Sequence, residues 1–125
     1  MNATTLAKTA YSAPGQPNRT ARGTEYELFA RITHKLKIAH SKGQAGFAAM
    51  AAALHENRRM WTVLATDVAD PGNQLPQDLR ARLFYLAEFT AQHSSKVLSG
   101  KASAEVLIDI NTAIMRGLRQ EGGAA

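Results

Sequence analysis

The chain of 125 residues contains no cysteine. Disulfide bonds, zinc ribbons, iron–sulfur clusters and cysteine nucleophiles are therefore excluded as its chemistry. No apolar run approaches the roughly 18 residues of a membrane-spanning helix, so membrane insertion is not expected. Residues 1–10 hold one lysine and no continuous apolar core, which argues against a secretory signal. The cytoplasm is the expected location.

Aromatic residues are scarce, at 6% of the chain, and the charged fraction is only 20%. Hydrophobic residues make up 45%, as in an ordinary soluble globular domain of this length. The net charge of +5 is uneven, because residues 1–70 hold nine Lys or Arg against five Asp or Glu. A basic bias near Arg19 to Lys42 fits a nucleic acid, an acidic protein or simply a solvated helix face.

The apolar residues follow helical rather than strand periodicity throughout the chain. No segment alternates with period two, and β-branched residues are sparse. The sequence therefore predicts an all-α fold, a single bundle of about four main helices. Residues 1–21 are predicted to be a flexible N-terminal arm, in which residues 3–11 could form a short helix. Residues 22–119 form the helical domain, and residues 120–125 a disordered Gly/Ala tail.

Local signals place the ends of the first two helices. Thr24 and Glu27 have the spacing of a capping box, so the first helix is predicted to start at Thr24 and to end before Gly43. The second helix is predicted over residues 45–67, with a seam at heptad spacing in which Asn57 is the one polar member. We expect Asn57 to be buried with its amide hydrogen-bonded, for example to the 70–76 turn. The seam residues are Met50, Leu54, Asn57, Trp61, Leu64 and Val68.

The third and fourth helices follow strong turn signals. The sequence Asp-Pro-Gly-Asn at 70–73 is typical of a turn, and Pro76 suits the first turn of a third helix that ends near Ser99. Ser103 is predicted to cap the fourth helix. His93 lies in the apolar seam of the third helix, where a hydrogen-bonded core histidine is more common than a metal ligand.

Patterns typical of enzymes are missing from the sequence. The pair His55-Glu56 begins like a zinc-protease helix, but the second histidine that zinc would need is replaced by Arg59. No two of the four histidines lie three or four residues apart, and no glycine-rich phosphate loop precedes a Lys-Ser/Thr pair. The sequence therefore predicts a protein that is not an enzyme, with no catalytic, cofactor-binding or metal site.

Two apolar stretches are wider than one packing face requires. They are residues 60–65 in the second helix and residues 83–87, followed by Phe89, in the third. Since neighbouring residues on a helix point about 100° apart, such a helix either has neighbours on two sides or borders a groove for a partner helix. Arg58 and Arg59 beside Trp61 also combine charge with a stacking surface, which leaves nucleic-acid binding as a weaker alternative.

Several long blocks of the sequence occur in a familiar order. They are residues 24–31 (TEYELFAR), 55–61 (HENRRMW), 67–73 (DVADPGN), 75–76 (LP), 79–90 (LRARLFYLAEFT) and 111–118 (NTAIMRGL). Together, over residues 10–119, they resemble the FlaF family of flagellar biosynthesis regulators. The resemblance implies a small cytoplasmic protein that binds flagellin and promotes its synthesis and secretion, similar to an export chaperone. An alternative function is control of flagellin messenger RNA, by RNA contact or through the partner FlbT.

The partner surface is predicted on the second and third helices. Aromatic residues and arginine dominate the binding energy of protein interfaces, and the two wide apolar stretches supply both. The predicted partner-binding residues are Arg58, Arg59, Trp61, Phe84, Tyr85 and Phe89.

Overall fold

A computed structural model describes the backbone of residues 18–124 and the side chains of residues 26–117. The described chain is built from four long helices, as the sequence predicts, with a single 3₁₀ turn at Gly43–Gly46 between the first two. The fold is all-α. The helices are α1 (Asn18–Ser41), α2 (Phe47–Ala69), α3 (Gln77–Leu98) and α4 (Glu105–Ala124).

The two ends of the domain differ most from the sequence prediction. Helix α1 begins at Asn18, so Thr24 lies inside the helix and the predicted start at Thr24 is wrong. Capping-box spacing also arises inside helices, and the surrounding Arg and Ala residues are good helix formers. Residues 18–21 are helical, whereas residues 1–17 of the predicted arm lie outside the described residues. Helix α4 continues to Ala124, through most of the predicted tail.

The connection between α1 and α2 depends on two glycines. Gly43 has a φ of +59°, in the left-handed region where residues with a side chain are strained. A Cβ at Gly46 would stand 2.5 Å from the carbonyl oxygen of Ala39, at the end of α1. The last turn of α1 and the first turn of α2 can therefore touch only because position 46 has no side chain.

The four helices pack side by side, in the order α4, α1, α2, α3. Helix α1 packs against both α2 and α4, and α2 packs against α3, while α3 and α4 make only sparse contacts. Ser103, whose Oγ accepts a hydrogen bond from the Glu105 amide at 3.0 Å, starts α4 as predicted. Helix α2 thus lies between two neighbours and keeps one outer face.

The apolar core consists of two clusters, one at each end of the bundle. The cluster at the 70–76 end contains Phe29 packed edge-on against Trp61, with ring centroids 5.9 Å apart. The other cluster contains Leu36, Ala39, Met50, Ala53, Leu54, Ala104, Leu107 and Ile108. All six members of the predicted α2 seam are buried, which confirms its register.

A layer of buried polar side chains separates the two clusters. Asn111 of α4 accepts a hydrogen bond from Trp61 Nε1 at 3.0 Å and donates one to Asn57 Oδ1 at 2.8 Å. Thr33 of α1 and Thr90 of α3 are also buried, and they lie on their helices between the two clusters. The predicted burial of Asn57 is confirmed. Its Oδ1 accepts a hydrogen bond from Asn111 rather than from the 70–76 turn, whereas its buried Nδ2 has no hydrogen-bond partner among the described residues.

The hydrogen bonds predict an order of stability losses in this layer. Changing Asn111 to Ala strands two partners, the Trp61 N–H and the Asn57 carbonyl, and should cost about 2–4 kcal/mol of unfolding free energy. Changing Asn57 to Ala strands only the Asn111 amide and should cost about 1–3 kcal/mol. Urea unfolding followed by tryptophan fluorescence would measure both losses. Equal losses, or a smaller loss for Asn111→Ala, would contradict the network.

Candidate functional site

Within residues 26–117, no group of His, Asp or Glu side chains is arranged to hold a metal ion. No described helix is long and apolar enough to cross a membrane. His93 has a structural role. Its Nε2 donates a hydrogen bond of 2.8 Å to the Ser103 carbonyl, and its ring stacks on that of Phe89 with the ring centroids 5.3 Å apart. The site that the sequence predicts is a partner surface on α2 and α3.

Trp61 does not belong to such a surface. Its side chain is only 1% exposed, and its indole nitrogen is bound to Asn111 inside the bundle. The heptad seam already places position 61 toward the core, and this periodicity outweighs the general preference of tryptophan for interfaces. The predicted role of Trp61 in partner binding is corrected to a core role.

The other five predicted residues are divided over different faces of the bundle. Phe84 is 40% exposed and lines a groove between α2 and α3, whereas Tyr85, the next residue, is 65% exposed and points outward. Phe89 is half-buried against His93, away from that groove. Arg58 and Arg59 are exposed on α2. Only Phe84 and the two arginines therefore border the outer face of α2.

The outer face of α2 has a groove on each side. Val63, which is 59% exposed, is central to this face, and the groove toward α1 has a volume of about 450 Å³. Lys35 and Glu56 form an ion pair of 3.0 Å across it. Because Arg31, Lys35 and Arg59 outnumber Glu56, this α1–α2 groove is basic. Its lining residues are Leu28, Arg31, Ile32, Lys35, Glu56, Arg59, Met60 and Val63.

The groove toward α3 has the opposite charge. This α2–α3 groove has a volume of about 650 Å³, an apolar floor and three carboxylates, from Asp67, Asp70 and Glu88, with no cation among its lining residues. Burial raises the pKa of Asp67, and the nearby Asp70 carboxylate raises it further. The remaining lining residues are Thr62, Ala65, Thr66, Ala69, Phe84, Ala87 and Ala91.

The 70–76 turn fixes one end of the α2–α3 groove. Asn73 Nδ2 donates to the Asp67 carbonyl at 3.0 Å, and Asp70 Oδ1 accepts from the Gly72 amide at 3.0 Å. Arg80 of α3 donates to the carbonyls of Val68 at 2.9 Å and Asp70 at 3.3 Å. These bonds satisfy the last carbonyls of α2, a capping role for Arg80 that sequence reasoning missed. A cation one turn into the helix after a tight turn is the signal for it.

The geometry defines a small helical-bundle protein whose candidate site is an exposed helix face between two oppositely charged grooves. The chain matches, over residues 7–118, the model of a family described as flagellar protein FlaF, and it belongs to this family. No curated protein and no solved structure matches the chain. Within the FlaF-like block 67–73, the side chains of Asp70 and Asn73 serve the turn itself.

Stability measurements should separate the core aromatic from the surface aromatic. Changing Trp61 to Ala should cost about 3–5 kcal/mol, because it empties the centre of a packed cluster. Changing the mostly exposed Tyr85 to Ala should alter the unfolding free energy by less than about 0.5 kcal/mol. Thermal melts followed by circular dichroism would measure both. A strongly destabilised Tyr85→Ala protein would place Tyr85 in the core and contradict the described packing.

The raised pKa of Asp67 predicts a pH-dependent effect with a definite sign. The folded protein holds a proton on Asp67 more tightly than the unfolded chain does, so ionisation of Asp67 costs stability as pH rises above its ordinary value of 3.8. Asp67→Asn should therefore raise the unfolding free energy at pH 7 by up to about 0.5 kcal/mol, which thermal melts would show as a higher melting temperature. The gain should vanish near pH 3, where the wild-type carboxyl is protonated. If the stability of Asp67→Asn relative to wild type were lower at pH 7 than at pH 3, the raised pKa of Asp67 would be contradicted.

Proposed function

We propose that this protein is a non-catalytic flagellin-binding factor that promotes the synthesis and secretion of flagellin from the cytoplasm. Membership of the FlaF family supports a flagellar role. The observation that favours binding is the outer face of α2, where Val63 is exposed between two grooves and Phe84 of α3 is exposed in one of them. Exposed apolar side chains beside grooves are typical of surfaces that bind another protein.

Flagellin is a partner that suits this surface on physical grounds. The terminal segments of flagellin become helices only in the filament, so a factor that holds unassembled flagellin must cover the apolar faces of these segments. Grooves between parallel or antiparallel helices accept an amphipathic helix through anchors at helical spacing.

The alternative function is control of flagellin messenger RNA, directly or through FlbT. The observation that favours it is the basic surface of α2, where Arg58, Arg59 and His55 are exposed around Val63. However, Trp61 is buried and Tyr85 lies on another helix, so this surface lacks an adjacent aromatic ring on which a base would stack. Protein binding is therefore the better-supported proposal.

Binding to purified flagellin at several salt concentrations tests the proposal. Full-length protein should retain monomeric flagellin from a nuclease-treated lysate and bind purified flagellin in calorimetry. The affinity for flagellin should fall only a few-fold between about 50 and 200 mM salt. Over the same range, a contact with several phosphates would lose roughly 1,000-fold or more in affinity.

Val63→Asp supplies a variant for the same assay, since Val63 is exposed and central to the surface. It should weaken flagellin binding at least tenfold, about 1.4 kcal/mol, with an unchanged melting temperature. Val106→Asp on α4, another exposed valine, is the matched control. Failure of the wild-type protein to bind flagellin, together with salt-sensitive binding to flagellin messenger RNA, would replace this function with the alternative.

A further inference from the structure

We infer that the α2–α3 groove holds a flagellin helix that presents lysine or arginine beside its apolar stripe. This inference rests on the proposed function and adds to it the docking groove and the chemistry of the docked segment. It assigns the acidic groove, rather than the basic α1–α2 groove, as the primary contact.

The shape of the groove fits a helix. Ala65 and Ala69 lie one turn apart on α2, and Ala87 and Ala91 lie one turn apart on α3. These four small side chains form a shallow trough in which a third helix can approach both backbones closely. Phe84 stands in the trough as an exposed aromatic anchor. On α2 the lining spans residues 62–69, roughly 10 Å along the helix axis, which accommodates about two turns of a partner helix.

The charge of the groove points to a cationic partner. Asp67, Asp70 and Glu88 surround an apolar floor, although the chain as a whole carries a net charge of +5. Among the side chains of residues 26–117, no Lys, Arg or His forms an ion pair with any of the three. Burial raises the pKa of Asp67, and repulsion from the nearby Asp70 carboxylate raises it further. A partner's ammonium or guanidinium group would relieve this repulsion while its apolar stripe covers Phe84.

The same charges argue against a second copy of this chain as the occupant. A two-fold symmetric contact brings the same patch of both copies together, so the carboxylates of one groove would face those of the other. Like charges facing each other across an interface are unfavourable. A partner of different sequence avoids this conflict.

Charge-removing variants in the full-length protein test the inference against purified flagellin. The double variant Asp67→Asn/Glu88→Gln should weaken flagellin binding at least tenfold at about 50 mM salt. The difference in affinity from wild type should shrink as the salt concentration rises, because salt screens the charges. The matched control is Asp109→Asn/Glu27→Gln, which removes one aspartate and one glutamate from exposed positions outside the groove. The affinity of the control for flagellin should stay within about twofold of the wild-type affinity, well below the tenfold loss expected of the groove variant.

A second variant tests the shape of the groove independently of its charge. Ala69 is exposed in the groove, so Ala69→Phe should fill it without disturbing the core. Loss of flagellin binding with an unchanged melting temperature supports the inference. If wild type binds flagellin but both groove variants bind equally well, the groove assignment fails and the proposed function survives. If wild type does not bind flagellin, the proposed function itself fails.

Two further observations would give the groove to a different occupant and overturn the inference. The first is a dimer of the free protein that Ala69→Phe dissociates in analytical ultracentrifugation. The second is a zero-length carbodiimide cross-link in the free protein between Lys8, the one charged side chain of residues 1–17, and Asp67 or Glu88. The monomer without that cross-link is the expected result.

Discussion

The hydrogen bonds from Trp61 to Asn111 and from Asn111 to Asn57 constrain the rest of the structure. They join α2 and α4, which lie diagonally in the bundle and have no close backbone contact. An apolar contact tolerates a sliding helix, whereas a buried amide with defined donors and acceptors does not. The network therefore fixes how far along each other the two helices sit. The rotation of α2 that exposes Val63 and buries Trp61 follows from the same constraint.

The position of α2 reconciles the two interpretations of its wide apolar stretch, namely neighbours on two sides and a groove for a partner helix. Both neighbours that a central helix requires are present, because α1 and α3 pack on either side and bury Met60 and Leu64. The outer face still keeps an apolar residue, Val63, between grooves of opposite charge. A single helix thus packs in the core and also keeps the exposed face to which the proposed function assigns the partner. The polarity difference between the grooves gives the surface an orientation that a purely apolar face would lack.

The sequence was sufficient for the helices and for the seam of α2, because heptad spacing and turn residues act locally. The capping signal at Ser103 predicts the start of α4 correctly, whereas the signal at Thr24 does not predict the start of α1, since a capping box does not show whether the preceding residues are helical. The partner of Asn57 could not be predicted, because it lies 54 residues away on a helix whose facing side depends on the whole bundle. Residue type alone also misplaced Trp61 on the surface, and the groove carboxylates converge only once α2 and α3 are paired.

The pairing of α1 with α4 has a consequence for how the chain folds on the ribosome. Of the four described helices, the first packs against the fourth, so this long-range contact forms only when α4 has left the exit tunnel. Until then the indole N–H of Trp61 and the side-chain carbonyl of Asn57 lack Asn111 as their partner. The native packing of the described helices is therefore complete only after α4 has emerged.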